Sequence, residues 1–255
     1  MLGDNAERKS GWRTLMGRRL GAKQLAVVCS VAVGCLVAGL YVTATGIRES
    51  WSAHQWAAAQ SAYERELGFH YARMDRALAG TAIDWLLLGD SQLQAFPTAL
   101  LPGTAISFAV GGESIERLIR RMPTYSLSAQ ARYIVLNGGS NDLREGRAVG
   151  DVERSWRLAV EMVRKDRILF CVGLMPQRHW NAEEHERRMD LNERIRSICV
   201  GRGGHFVDMY ALLADSGGRL QSEFDDGDGV HLTRAAYALL AQALRRQATL
   251  QASSS

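Results

Sequence analysis

Trp85-Leu86-Leu87-Leu88-Gly89-Asp90-Ser91-Gln92 is the stretch that decides the fold of this chain. Four apolar residues in a row are typical of a strand that is buried on both faces of a sheet. Polar residues follow at once, so Ser91 is predicted to lie at the abrupt end of that strand. A second strand-like run, Arg132 to Leu136, is followed in the same way by Asn137-Gly138-Gly139-Ser140-Asn141-Asp142. Two strand ends with polar side chains predict a site at one edge of a sheet.

Strand-like and helix-like patterns alternate along the rest of the chain. Strands are predicted at Ile83–Leu88, Ala105–Val110, Tyr133–Leu136, Ile168–Leu174 and His205–Met209. Helices are predicted at Ser114–Met122, Val152–Lys165, Ala182–Val200 and Thr233–Gln247, with Thr233 as a candidate N-cap. Apolar strands separated by amphipathic helices indicate a parallel sheet that is covered on both faces. The expected fold class is therefore α/β, with three α/β/α layers around a five-stranded parallel sheet.

A third polar segment, Asp228-Gly229-Val230-His231, comes just before the last helical pattern. A serine, a histidine, an aspartate and a side-chain amide are the groups that acyl transfer through a covalent serine ester requires. Ser91 needs a base, and the imidazole of His231 can take its proton and later return it. Asp228 can accept a hydrogen bond from the other ring nitrogen and fix the tautomer. The predicted catalytic residues are therefore Ser91, Asp228 and His231.

These three segments resemble the conserved blocks of the SGNH (GDSL-type) hydrolases. Gly89-Asp90-Ser91 is similar to the first block, Gly139-Ser140-Asn141-Asp142 to the third, and Asp228-Gly229-Val230-His231 to the last, in family order. The resemblance covers roughly Ile83 to Ala248. It implies a flavodoxin-like strand order and a serine esterase that uses neither a cofactor nor a metal.

The resemblance also implies an oxyanion hole, formed by the backbone N–H of Ser91, the N–H of a glycine and the side-chain amide of Asn141. Preorganised donors of this kind stabilise the charge that develops on the carbonyl oxygen. The second family block is less regular here, because two adjacent glycines, Gly111 and Gly112, compete for the role. The acidic and hydroxyl pair Glu113-Ser114 that follows them favours Gly112, and Gly111 remains the alternative.

Four acidic residues near these segments are interpreted as structural. Asp90 and Asp142 are expected to accept hydrogen bonds that fix their loops. Asp225 and Asp226 have the wrong offset from the histidine, and a solvated turn is expected there.

Arg178 and Trp180 follow the strand that ends near Met175 and are candidate substrate-binding residues. An arginine and an aromatic ring at the mouth of a pocket could hold an anionic or sugar-bearing substrate. The alternative is an ordinary surface loop.

The N-terminal region predicts a membrane anchor. Leu25 to Ala44 is almost entirely apolar and has the length of a transmembrane helix. Six Lys or Arg residues precede it, which places the N-terminus in the cytoplasm and the rest of the chain outside. Cleavage after Ala44 and lipidation at Cys35 are the alternatives. Residues 1–24 carry a net charge of +4, equal to that of the whole chain, so the remainder is neutral and indicates no nucleic-acid partner.

The predicted organisation is a basic cytoplasmic tail (1–24), a transmembrane signal anchor (25–46), a helical stalk (47–80) and an SGNH hydrolase domain (81–250). The expected function is a membrane-anchored, extracytoplasmic (periplasmic) serine esterase that removes acyl groups, acetyl above all, from envelope glycan or lipid. An O-acyltransferase with the same serine and a catalytically silent assembly scaffold are the alternatives. Cys171 and Cys199 are expected to be buried free thiols rather than a disulfide. The sequence does not reveal the oligomeric state.

Overall fold

The computed structural model describes residues 55, 58–63, 65–126 and 130–252, in which one parallel sheet forms the centre of the domain. Its strands are β1 (Trp85–Leu88), β2 (Ala105–Ser107), β3 (Tyr133–Leu136), β4 (Ile168–Val172) and β5 (His205–Val207). The spatial order is β2-β1-β3-β4-β5, with every neighbouring pair parallel. The five predicted strands and the flavodoxin-like order are therefore confirmed.

Helices connect the strands and cover the sheet. They are α1 (residues 65–77), α2 (Ser91–Gln94), α3 (Ile115–Arg121), α4 (Ser140–Arg144), α5 (Val149–Met162), α6 (Ala182–Gly201), α7 (Tyr210–Leu213) and α8 (Arg234–Ala252). Short 3-10 turns occupy Thr98–Leu100, Met122–Thr124 and Ser222–Phe224. The predicted helices correspond to α3, α5, α6 and α8. The sequence did not reveal α2, α4 and α7, because helices of four or five residues are too short to show a helical period.

Alternate residues of each strand point into two separate cores, because successive side chains of a strand lie on opposite faces of the sheet. One core contains Leu86, Leu88, Ile134 and Leu136 with side chains of α3, α5 and α6. The other contains Trp85, Leu87, Tyr133 and Val135 with side chains of α8. Each leucine buried in this way contributes about 1.5–3 kcal/mol to folding. This is the expected three-layer arrangement, and it leaves the carboxyl ends of the strands free to carry the polar segments.

Cys171 of β4 and Cys199 of α6 form a disulfide, with their Cα atoms 6.2 Å apart. The expectation of two free thiols was therefore wrong. Both cysteines belong to the same buried cluster, since α6 packs directly on β4. Their separation of 28 residues in the sequence gives no indication of that proximity.

The predicted tail (1–24) and anchor (25–46) lie outside the described residues, as does the first part of the stalk (47–80). Of the stalk residues that are described, 55, 58–63 and 65–77 are helical, and 78–80 form a turn. Within the described ranges, no helix combines the length and the apolar character that crossing a membrane requires.

Candidate active site

Ser91 is the first residue of α2 and follows β1 after only two residues. Asp90 is the N-cap of this helix, and its carboxylate accepts the backbone N–H of Gln92 at 3.0 Å. Burial raises the pKa of Asp90 to about 6, although the hydrogen bond from Gln92 acts in the opposite direction. The chain therefore changes from strand to helix at the serine itself, and Asp90 has the loop-fixing contact that was expected.

His231 and Asp228 continue from Ser91 in one hydrogen-bonded chain. Ser91 Oγ lies 3.0 Å from His231 Nε2, and His231 Nδ1 lies 2.5 Å from Asp228 Oδ2. The other carboxylate oxygen of Asp228 accepts the backbone N–H groups of His231 and Val230, both at 2.8 Å. The His231 N–H and then its imidazole are the main causes that lower the pKa of Asp228 to about 2. The carboxylate is therefore ionised at neutral pH and can keep the proton of the ring on Nδ1.

Gln92, a residue that sequence reasoning missed, joins the serine helix to the histidine loop. Its Nε2 donates to the carbonyl oxygen of Val230 at 2.8 Å, and its Oε1 accepts from Tyr237 Oη of α8 at 3.5 Å. The signal that could have revealed it is its position, since Gln92 directly follows Ser91 just after the apolar run of β1. The contact holds His231 within reach of the serine, because Val230 is its immediate neighbour.

The expectation of a solvated turn was wrong for Asp225. Its side chain is only 9% exposed, and it accepts the N–H groups of Gly227 at 2.9 Å and Gly229 at 2.8 Å. Its other oxygen pairs with Arg178 Nε at 2.8 Å, while the Arg178 backbone N–H donates to the Gly229 carbonyl at 2.9 Å. Asp225 and Arg178 together therefore shape the loop that leads to His231, and the charge of Arg178 is already neutralised.

The two candidate binding residues have different surroundings. Arg178 lines a cavity of about 500 Å³ together with Asp215, Arg219, Leu220, Gln221, Ser222 and Glu223, a lining that includes neither Ser91 nor His231. Trp180 instead donates from Nε1 to Gln177 Oε1 at 2.8 Å, and its ring lies 4.3 Å from the guanidinium of Arg188.

The two adjacent glycines differ in whether their N–H groups are available. The N–H of Gly111 donates to Gln94 Oε1 at 3.0 Å, and its carbonyl accepts from Gln60 Nε2 at 2.8 Å. The N–H of Gly112 has no acceptor among the described residues. Gly112 also has a φ of +76°, a conformation that favours glycine. Gly112 is thus the glycine whose N–H remains free for a ligand.

Asn141 is buried in the first turn of α4. Its Nδ2 donates to the carbonyl oxygen of Glu113 at 3.0 Å, and its Oδ1 accepts from Arg144 Nη2 at 2.8 Å. Since Glu113 follows Gly112, this bond connects α4 to the glycine loop. It uses one of the two amide hydrogens and leaves the second available.

Asp142 is fully buried and has the structural contacts that were expected of it. One carboxylate oxygen accepts the backbone N–H of Ile115 at 2.8 Å, and the other accepts from Arg147 Nη1 at 2.6 Å. Burial raises the pKa of this carboxyl, and both hydrogen bonds oppose that effect. Asp142 thereby fixes the start of α3, directly after the glycine loop.

A parallel α/β sheet with a serine, a histidine and an aspartate in contact beyond the ends of its strands is the architecture of an acylhydrolase. The chain belongs to the GDSL-like lipase/acylhydrolase family, whose model matches residues 89–239. The family resemblance of the three sequence segments is thereby confirmed, and the protein is a hydrolase of the esterase type.

Several solved structures share this fold. A Streptococcus pneumonia protein described as a platelet activating factor is 16% identical, with a TM-score of 0.70, and the match covers 78% of this chain and 98% of that one. A GDSL-like lipase from Bacteroides thetaiotaomicron is 20% identical, with a TM-score of 0.58 over 72% and 98% of the two chains. A mutant form of an acetyl-xylooligosaccharide esterase from Geobacillus is 16% identical, with a TM-score of 0.55 over 66% and 94%. A comparison with curated proteins finds no match.

Proposed function

We propose that this protein is a serine esterase in which Ser91 is the nucleophile, His231 the general base and acid, and Asp228 the residue that orients the histidine. The observation that carries the proposal is the hydrogen-bonded chain itself, with 3.0 Å between Ser91 Oγ and His231 Nε2 and 2.5 Å between His231 Nδ1 and Asp228 Oδ2. The first distance lies within the reach that proton transfer needs, and the second is that of a hydrogen bond that orients the ring.

The reaction has two halves. Ser91 Oγ attacks the carbonyl carbon of the ester while its proton passes to His231 Nε2. The tetrahedral intermediate then expels the alcohol, which receives that proton, and an acyl-serine remains. In the second half His231 takes a proton from water, whose oxygen attacks the acyl-serine. The acid leaves, and the proton on His231 returns to Ser91.

The negative charge of the intermediate requires donors on the other side of the carbonyl. We assign this role to the backbone N–H groups of Ser91 and Gly112 and to the free amide hydrogen of Asn141. The free N–H of Gly112, in contrast to the occupied N–H of Gly111, supports the choice between the two glycines. A single donor of this kind is worth about 2.7–4 kcal/mol of the barrier.

The proposed setting is the outer face of a cytoplasmic membrane, with residues 25–46 as the anchor and an acylated envelope glycan or lipid, acetylated above all, as the substrate. The apolar segment and its six preceding basic residues support this location. The disulfide between Cys171 and Cys199 supports it as well, because disulfides persist in oxidising compartments and are rare in the cytosol.

Hydrolysis of an aryl acetate by the full chain and by single variants tests the assignment. Ser91→Ala and His231→Ala should each remove most turnover, and Asp228→Ala should remove less, because it orients a base rather than moving a proton. Combining the three should cost little more than Ser91→Ala alone, since the residues act as a unit. Ser197→Ala, on an exposed position of α6, is the control and should keep full activity. Additive losses, or a fluorophosphonate probe that labels Ser91→Ala as well as the parent chain, would contradict the assignment.

A further inference from the structure

Arg188 of α6 is a buried cation that forms no ion pair with any carboxylate of the described residues. The residue is 5% exposed, its Nη1 donates to Ser140 Oγ at 2.7 Å, and its guanidinium lies 4.3 Å from the centre of the Trp180 ring. Its Nε is buried and has no hydrogen-bond partner within the described ranges. Nη2 has no acceptor in the described part of the chain either. Unlike Nε, it is not fully buried. Burial lowers the pKa of Arg188 to about 10, so the group is still charged at neutral pH.

A second arginine of the same helix shows what Arg188 lacks. Arg196 lies over the ring of Phe206, also at 4.3 Å, but its Nη2 is paired with Asp208 Oδ2 at 2.7 Å. The charge of Glu184, one turn earlier in α6, raises the pKa of Arg188 and partly opposes the effect of burial. Neither Glu184 nor any other described carboxylate lies within ion-pair distance of Arg188. A buried charge without an ion-pair partner destabilises the fold. Both arginines therefore stack on an aromatic ring, but only Arg196 has an ion-pair partner.

Arg188 lies beside the proposed oxyanion hole. Ser140, which accepts its hydrogen bond, directly precedes Asn141 in α4. Arg144, whose Nη2 donates to Asn141 Oδ1 at 2.8 Å, is exposed and close enough to contribute to lowering the pKa of Arg188. One guanidinium thus contacts the amide that is assigned to the oxyanion, and the other contacts the residue directly before it. The charge of Arg178, by contrast, is already paired with Asp225.

We infer that Arg188, assisted by Arg144, binds a carboxylate of the ester substrate, an inference that rests on the proposed esterase function. A guanidinium presents its donors as a planar fork that matches a carboxylate, and a bound carboxylate would supply the counter-ion that Arg188 lacks. An acetyl group carries no charge, so the carboxylate belongs to the alcohol part of the ester. The substrate class is therefore an acetyl ester on an acidic, carboxylate-bearing sugar, and Arg188 is a specificity-determining residue.

The kinetic test compares two esters that differ only in charge, 4-acetoxybenzoate and 4-acetoxybenzamide. Arg188→Met should lower kcat/KM for the benzoate by roughly 10- to 100-fold, mainly through KM, and change the benzamide by less than about threefold. Arg188→Lys should retain part of the preference, since it keeps the charge but loses the fork. Arg196→Met is the matched control and should affect both esters equally. Equal losses on both esters in Arg188→Met would overturn the inference and make Arg188 a support for Ser140 alone.

A second pair of esters locates the carboxylate. If 4-nitrophenyl hydrogen succinate, compared with 4-nitrophenyl butyrate, shows the charge-selective loss instead, a carboxylate site is supported but its place on the alcohol part is overturned. If Arg188→Met shows no charge-selective loss with either pair of esters, both the carboxylate site and its place on the alcohol part are overturned.

A binding measurement separates this inference from the proposed chemistry. In the full chain carrying Ser91→Ala, sodium glucuronate should raise the melting temperature, whereas glucose with sodium chloride at the same ionic strength should not. Adding Arg188→Met should abolish the shift. If the parent chain hydrolyses no ester while glucuronate still stabilises it through Arg188, the carboxylate site stands and the esterase proposal fails. A shift that persists without Arg188 overturns the site.

Discussion

At the scale of single residues, Asn141 has one amide hydrogen bonded to the carbonyl of Glu113, and the other is proposed to bind the oxyanion. Asn141→Ala removes a donor that acts on charge developing in the transition state. It should lower kcat by roughly 10²- to 10³-fold with little change in KM. Steady-state kinetics on one aryl acetate, with folding checked by circular dichroism, is the measurement. Full kcat in the variant would show that Asn141 serves only to hold the glycine loop.

The ionisation of Asp90 should make the stability of the fold depend on pH. Its pKa is raised from the usual 3.8 to about 6 by burial, so between these values the folded chain keeps a proton that the unfolded chain has lost. Stability should therefore fall as the pH rises through this window, by about 3 kcal/mol from this group. Asp90→Asn keeps an oxygen for the Gln92 N–H but cannot ionise, so it should remove that fall. Urea unfolding of both chains from pH 4 to pH 7 tests this, and parallel curves would contradict it.

At the scale of elements, Asp142 is the contact that joins α3 to the polar segment after β3. Asp142→Ala leaves the N–H of Ile115 without its acceptor and leaves Arg147 Nη1 with only the longer pair to Glu116, at 3.5 Å. It should lower the free energy of unfolding by roughly 3 kcal/mol. Asp151→Ala removes an exposed pair with Arg154 and, as the control, should cost less than about 1 kcal/mol. Urea unfolding measures both, and similar values would show that Asp142 is dispensable.

Features that are local in the sequence could be predicted, and features that depend on distant segments could not. The buried strands and the polar residues at their ends are visible because each lies within a few consecutive positions, as in Trp85 to Ser91. The disulfide and the ion pair of Asp225 with Arg178 each join residues that only the folded sheet brings together. Arg188 escaped notice for a related reason: an arginine in an amphipathic helix reads as a solvated charge until the packing of Trp180 over it is seen.

At the scale of the whole molecule, charge and covalent structure both support the export that is proposed for the domain. The basic residues of 1–24 account for the net charge of +4, and the remainder of the chain is neutral. A disulfide closes a loop of 28 residues across β4 and α6. Such a crosslink typically contributes about 2–4 kcal/mol by constraining the unfolded chain, provided that the compartment allows it to form. A domain that depends on this bond would be less stable in the cytoplasm than outside it.

The last prediction concerns the topology of the full chain. Alkaline phosphatase fused after Ser50 should be active, because the enzyme folds only in an exported compartment, and the fusion should remain in the membrane fraction. In the same cells, Cys171 and Cys199 of the full chain, once it is unfolded in urea to expose both buried side chains, should resist alkylation until a reductant is added. Changing the basic residues before Leu25 to neutral ones should reduce phosphatase activity, since they orient the segment. Active phosphatase in the soluble exported fraction would indicate cleavage after Ala44. An inactive fusion together with freely alkylated thiols would place the domain in the cytoplasm and remove the envelope substrate from the proposed function.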